Sequence, residues 1–254
     1  MNCRRRAEGA CERLAGAALL VTVLGSPLLH AEDRVRLILN SALSPATRSF
    51  SQTITYTEFV ETATVKAQYE TKSAFSPDVG AQVQLFRKLG LYAAFTSTRR
   101  DEKGSFSASL PHPLYLDRPR SLQGDLAGYG YRERAVHVDL AFGTAKGAID
   151  YALFAGVSAF WVEADLVDRI RYDQTYPYDS VALREVPPRA VKNNPTGFNV
   201  GGRLDYRFGH SRRFGLGVQL RFSTATARLA TPDTSTVKVD AGGLQAGIGA
   251  RLYF

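Results

Sequence analysis

A histidine set between two carboxylates is the most suggestive chemistry in this chain. In "YGYRERAVHVDLAF" the alternate positions Glu133, His137 and Asp139 share one face if the stretch is extended. An imidazole flanked by acids can serve as a general base toward a serine or a water. The nearest serine on a matching face, Ser158, has no recognisable signature around it. No G-x-S-x-G, phosphate-binding loop or HExxH motif occurs either. The reading that the residues favour is a histidine hydrogen-bonded into a polar network, because mixed charges recur at alternate positions in several other segments. No enzyme activity is expected.

Metal chemistry is likewise not expected. Asp165, Asp168, Asp173 and Asp179 fall in one region but lack the regular ligand spacing of a calcium loop, so they read as a solvated acidic stretch. No cofactor motif is present. The segments "PHPLYLDRPR" and "YDQTYPYDSVALREVPPRAVKNNP" mix proline, tyrosine and arginine. Their Arg118, Arg120, Arg184 and Arg189 suit contact with lipid phosphates, surface polysaccharide or another protein.

The elements that carry these residues have a period of two. In "GFNVGGRLDYRFG" the even positions are Phe198, Val200, Gly202, Leu204, Tyr206 and Phe208, whereas every charge, Arg203, Asp205 and Arg207, is odd. "FGLGVQLRF" repeats the design, with Phe214, Leu216, Val218, Leu220 and Phe222 on one face and Arg221 on the other. The alternation predicts eight strands, near Ala63–Thr71, Val79–Arg87, Leu91–Thr98, Tyr129–Phe142, Ile149–Trp161, Phe198–Phe208, Phe214–Thr224 and Leu244–Phe254. Short connections ("KLG", "GTAKG", "GHSRR") alternate with long ones, the pattern of an antiparallel up-and-down barrel. Val237, Val239 and Ala241 are out of phase with Leu244, Ala246 and Ile248, which predicts a β-bulge at Gly242–Gly243.

The compartment is set by the first residues. A basic lead with Arg4, Arg5, Arg6 and Arg13 precedes the apolar run Leu14–Leu29 and a small residue, Ala31, so residues 1–31 read as a cleavable signal peptide. Both of the 2 cysteines, Cys3 and Cys11, lie within it, and disulfides are therefore excluded from the exported chain. Residues 32–49 read as an irregular periplasmic N-terminal arm, in which Leu37–Leu43 could form a short helical turn ended by Pro45, and residues 50–254 as the barrel. The formal net charge of +8 is spread along the chain, and with the export signal it argues against a nucleic-acid partner.

Alternation alone leaves open which face is inward. Gly201, Gly215, Gly217, Gly247 and Gly249 all share the polar faces, where small groups suit the crowded lumen of a narrow barrel. Aromatic residues form two bands: Phe142, Tyr151, Tyr206, Phe208, Phe214 and Phe254 toward the short turns, Trp161, Phe198 and Phe222 toward the long ones. A lipid-facing arginine at mid-membrane costs about 2–4 kcal/mol. Arg203, Arg207, Arg221 and Arg251 all escape it by lying on the glycine-bearing face. The expected fold is an all-β, antiparallel transmembrane barrel, most simply of eight strands.

With its leader, its period-two strands and the ending "GIGARLYF", the chain resembles the small outer-membrane β-barrels of Gram-negative bacteria, the eight-stranded OmpA-like class with its OmpW-like relatives. The resemblance implies location in the outer membrane, and an ending read by the barrel-assembly machinery through Gly249, Leu252 and Phe254. Lys66, Glu70, Glu133, His137, Asp139, Arg203, Asp205, Arg207, Arg221 and Arg251 are then expected to form a paired polar network inside the lumen. The expected partners are outer-membrane lipids, the assembly machinery and surface polysaccharide or protein met through the long loops. A structural or surface-interaction role comes first. A narrow pore or transporter for small or apolar solutes is the alternative, and a lipid-modifying enzyme a third. Oligomeric state is left open.

Overall fold

The computed structural model describes residues 34–254 apart from 46–47, 87, 147, 211 and 232–234, so the expected signal peptide lies outside the described residues. Thirteen strands follow one another: β1 (Val35–Ser44), β2 (Arg48–Glu58), β3 (Glu61–Thr71), β4 (Ala74–Gln84), β5 (Leu89–Leu110), β6 (Arg120–Lys146), β7 (Ile149–Val167), β8 (Arg171–Gln174), β9 (Val181–Glu185), β10 (Pro188–Asn193), β11 (Thr196–Phe208), β12 (Phe214–Ala230) and β13 (Thr236–Tyr253). Eight of them pair antiparallel in a closed cycle, β1 with β4, then β5, β6, β7, β11, β12, β13 and back to β1. Closure leaves this part of the sheet no free edge, the condition for a sheet to lie in lipid.

The short connections β4–β5, β6–β7 and β11–β12 are at one end, with the β1 start and the β13 end beside them, where Phe254 N donates to Val35 O at 2.9 Å and Val35 N to Phe254 O at 3.1 Å. In outer-membrane barrels the end with the short turns is the periplasmic one. At the other end the long connections fold into more sheet. The β2–β3 hairpin joins the outer half of β5, from Thr64↔Ser109 to Thr71↔Glu102, and β10 joins the outer half of β7. β8 and β9 form a separate small hairpin. In the upper wall β2 and β3 thus stand where β1 and β4 stand below.

Side-chain polarity inverts with height. In the lower half the outer face is apolar and exposed, for example Leu204, Leu216, Val218, Leu220 and Ile248, and it is bracketed by Phe142, Tyr151, Tyr206, Phe208, Phe214 and Phe254 on one side and Phe75, Trp161, Phe198 and Phe222 on the other. On β12 this belt runs from Phe214 to Phe222, the roughly 9–11 residues that a tilted strand needs to cross hydrocarbon. Beyond it the outer face turns polar, with Arg99, Asp101, Arg132, Arg134, Arg228 and Lys238 exposed. The interior does the opposite, becoming a packed apolar core that includes Tyr69, Phe106, Leu126, Phe160, Leu166 and Leu229. Outside the bilayer, water replaces lipid around the wall, and apolar side chains gain by facing inward.

Three expectations need correction. Val35–Ser44 is a barrel strand, not part of an irregular arm: Leu37, Leu39 and Leu43 face out while Arg36, Asn40 and Ser44 face in, and its partners β13 and β4 saturate its backbone. Ala63–Thr71 belongs to the outer hairpin and does not cross the membrane. At Gly242–Gly243 the β12–β13 register runs unbroken through Thr224↔Gly242 and Ser223↔Gly243, although both glycines have positive φ. Val237, Val239 and Ala241 already face inward, as Gln245 and Arg251 do. The apparent slip was the polarity inversion. The actual register shift is between β5 and β6 at Glu102/Gly104, beside Gly128 with φ 79°.

Candidate functional site

Inside the belt the lumen is filled by side chains in layers. At the periplasmic end the Tyr253 ring lies between two guanidinium groups, Arg207 at 3.9 Å and Arg36 at 4.7 Å from its centroid. Asp150 pairs with both of these arginines, with Arg207 at 3.2 Å. Asp205 is the hub above: it accepts from Arg251 Nε at 2.8 Å and meets Arg203 Nε at 3.4 Å and Arg36 Nη1 at 3.5 Å. Room for this carboxylate comes from Gly217 on the paired strand, where a Cβ would stand 1.9 Å from Asp205 Oδ1.

The next layer centres on Asp78 and Arg221, paired at 2.9 Å; Arg221 also donates to the Tyr92 hydroxyl at 3.0 Å, and Gln219 donates to Asp78 at 3.1 Å. Tyr92 meets Phe154 edge-on at 5.3 Å. These contacts join strands from opposite sides of the barrel. They therefore bind its cross-section in a way that neighbouring-strand pairs cannot.

His137 occupies the layer above. Its Nδ1 lies 2.7 Å from Ser158 Oγ and its Nε2 3.3 Å from Thr96 Oγ1, so a neutral ring can donate on one side and accept on the other. Asn199 Nδ2 donates to Ser158 Oγ at 2.9 Å and to Asp139 Oδ1 at 2.7 Å. A base and a hydroxyl at this spacing match the first requirement of nucleophilic catalysis. They are sealed, however: His137 is 0% exposed and Ser158 2%. Higher still, Glu133 accepts from the Tyr131 hydroxyl at 2.7 Å and from Gly242 N at 3.1 Å.

The structure places Glu133, His137, Asp139, Arg203, Asp205, Arg207, Arg221 and Arg251 inside the barrel but in separate groups: the arginines pair with carboxylates, His137 and Asp139 are linked through Ser158 and Asn199, and Glu133 meets Tyr131 and Gly242. Lys66 and Glu70 are not among them; they are exposed on the outer face of β3, because the β2–β3 hairpin turns Ala63, Val65, Ala67 and Tyr69 inward. Sequence reasoning missed Arg36, Asn40, Asp78, Tyr92 and Tyr253. For Arg36 and Asn40 the signal was present as alternation with Leu37 and Leu39, but Pro45 and the leucine-rich stretch suggested a broken helical turn.

The extracellular aspartates do not converge. Asp165 Oδ2 accepts from Gly130 N at 3.0 Å, while Asp168, Asp173 and Asp179 pair with Arg189 (3.4 Å), Arg184 (3.8 Å) and Arg118 (3.4 Å). Among the described residues no group of three or more acidic, histidine or cysteine side chains is placed to hold a metal. Arg120 is spent on Gln174, Tyr178 O and Pro111 O, tying the loops together. Gln52 fastens the crossing segment after β7, donating to Val167 O at 2.9 Å and accepting from Val167 N at 3.1 Å.

Of the closing residues, Gly249 lets β13 approach β1, since a Cβ there would stand 1.8 Å from Leu39 O; Leu252 pairs with Phe214, and Phe254 is exposed at the rim.

No family model matches the chain, and no curated protein matches it either. Solved structures do. The outer membrane protein OprG of Pseudomonas aeruginosa superposes with a TM-score of 0.52 at 11% identity, covering 88% of this chain and 97% of that one. Neisserial surface protein A (NspA) gives 0.41 at 12% identity over 89% and 100%, and Ail of Yersinia pestis 0.36 at 11% over 85% and 98%. The OprG likeness, at this identity, is one of fold. Together with the closed eight-strand cycle and the apolar belt, it makes this chain an integral β-barrel protein of the Gram-negative outer membrane.

Proposed function

We propose that the protein is a sealed barrel that anchors a tall extracellular sheet and acts through surface contact rather than through flux or catalysis. One observation carries this reading. Among the described residues the largest fully buried side chains include Arg221 and Arg251, each 1% exposed, and both lie in the lumen, Arg251 against Asp205 at 0% and Arg221 against Asp78 at 2%. A conducting lumen would wet its arginines. Here they meet carboxylates, tyrosines and amides instead, as an eight-stranded barrel with just enough interior for its own side chains requires. The same enclosure keeps lipid and water from the Ser158–His137 pair, which supports a structural role for it. Contact with the assembly machinery through the Gly249–Phe254 segment belongs to this reading.

Planar-bilayer recording of the refolded protein tests it: no step conductance is expected, and reproducible ion-conducting openings would overturn it. One feature favours a second reading, lateral passage of small apolar solutes. Among the described residues β2 has no backbone partner on its far side, and the Arg48 side chain reaches from it to Asp240 O and Gly242 O of β13. Solute uptake that rises when Arg48 is replaced by alanine would support that reading.

A further inference from the structure

Resting on the surface-contact reading, we infer that the extracellular sheet carries a binding site for an anionic saccharide. Between β2 and the segment Asp168–Arg171 lies an open cleft of about 410 Å³, lined by Ile54, Tyr56, Asp168, Arg169, Arg171 and Pro187 among others. This is within the usual range of small-ligand sites. Among the described residues β2 is the terminal strand of its sheet, with β3 as its partner.

Its polar groups are unevenly satisfied. Three of the arginines in this region have carboxylates, Arg171 with Glu185 at 3.1 Å, Arg184 with Asp173 and Arg189 with Asp168. Among the described residues Arg169 has none; its guanidinium instead lies 5.2 Å over the Tyr56 ring, and the side chain is exposed. The Tyr56 hydroxyl is buried without a hydrogen-bond partner among the described residues. Buried polar atoms left unpaired cost stability that a fitting ligand would return.

The set specifies its ligand. A free guanidinium calls for a carboxylate or a phosphate, an aromatic face suits the apolar side of a sugar ring, and an unpaired phenol calls for a hydroxyl. Height excludes a lipid headgroup. Ile54 pairs with Val65 and Val65 with Ala108, whereas the last apolar belt residue on β5 is Phe95. At about 3.3 Å per residue and a tilt near 40°, the cleft stands about 30 Å above the belt. The ligand is therefore a projecting or external sugar acid.

The test uses the full chain refolded in detergent, titrated calorimetrically with D-glucuronate, glucose 1-phosphate and neutral glucose. Saturable binding of both anions is expected, with glucose at least about tenfold weaker. Arg169→Gln should bring the anions down to the level of glucose, and Tyr56→Phe should weaken binding while keeping the ring. Heat-shifted gel migration checks that each variant is folded. Equal affinity for glucose, unchanged affinity in Arg169→Gln, or no saturable binding of either anion overturns the site. Competition then identifies the source: displacement of glucuronate by core oligosaccharide released from lipopolysaccharide marks a ligand in the same membrane, displacement by a uronic-acid oligosaccharide a foreign one, and displacement by neither overturns the proposal. A non-conducting barrel that binds none of these sugars loses this site and leaves the sealed-barrel reading standing.

Discussion

Asp205 is the most informative residue to remove. It is 0% exposed and touches three arginines, at 2.8 Å (Arg251), 3.4 Å (Arg203) and 3.5 Å (Arg36). Replacement by alanine takes away one well-formed charge-assisted bond and two longer contacts, and it leaves Arg36, Arg203, Arg207 and Arg251 with Asp150 as the carboxylate of that layer. Breaking a buried pair from one side costs about 3–5 kcal/mol. Asparagine keeps an oxygen for Arg251 Nε but no charge for the other two, so Asp205→Asn should cost less, about 2–3 kcal/mol. With a urea slope of about 2–3 kcal/mol per molar, the midpoint of Asp205→Ala should fall by about 1–2 M. Equilibrium unfolding in lipid vesicles, followed by tryptophan fluorescence from Trp161, provides the measurement. A second arm removes both partners: Asp205→Ala with Arg251→Met should recover part of the loss, because no uncompensated charge from that pair remains. If Asp205→Ala unfolds within about 0.5 kcal/mol of the natural chain, the lumen must be wet enough to solvate these arginines. The argument for a sealed interior would then fail.

Gly249→Ala should prevent refolding into detergent even without cellular machinery, because its Cβ would collide with Leu39 O in the closing β1–β13 pair; normal refolding with a defect only in cells would show that the position matters for recognition instead. Gln52→Ala should release the segment after Val167, costing about 1–3 kcal/mol for each buried group left unpaired and speeding tryptic cleavage at Arg169 and Arg171; an unchanged cleavage rate counts against the clamp. Above the membrane, burial and then the Glu58 carboxylate push the Tyr172 phenol up to about 12, and burial followed by Asp165 does the same for Tyr129. A phenol raised in the folded state favours the neutral form, so stability is intact below about pH 10 and declines as pH rises toward 12. Ultraviolet titration should show these two tyrosines ionising late, and replacing both by phenylalanine should flatten the alkaline loss.

Local chemistry made much of this molecule legible in advance. Period-two alternation places Arg203, Asp205, Arg207 and Arg221 on one face of consecutive strands, and no tertiary information is needed to see that lipid must contact the other. The aromatic bands follow from the same alternation, since rings near the short turns must end at one interface. What alternation does not carry is partnership between distant segments. β1 alternates too, but its hydrogen bonds come from β13 at the opposite end of the chain and from β4 across an intervening hairpin, so no neighbouring segment marks it as part of the barrel. Lys66 and Glu70 alternate as regularly as any membrane strand, yet the β2–β3 hairpin stands above the bilayer, where the outer face is wet. Height along the barrel axis decides which face should be polar, and a single strand has no means of recording its own height. The pairing of Asp78 with Arg221, the rings of Tyr92 and Tyr253 between arginines, and the enclosure of His137 with Ser158 likewise exist only once eight strands close, because each depends on side chains meeting across the lumen.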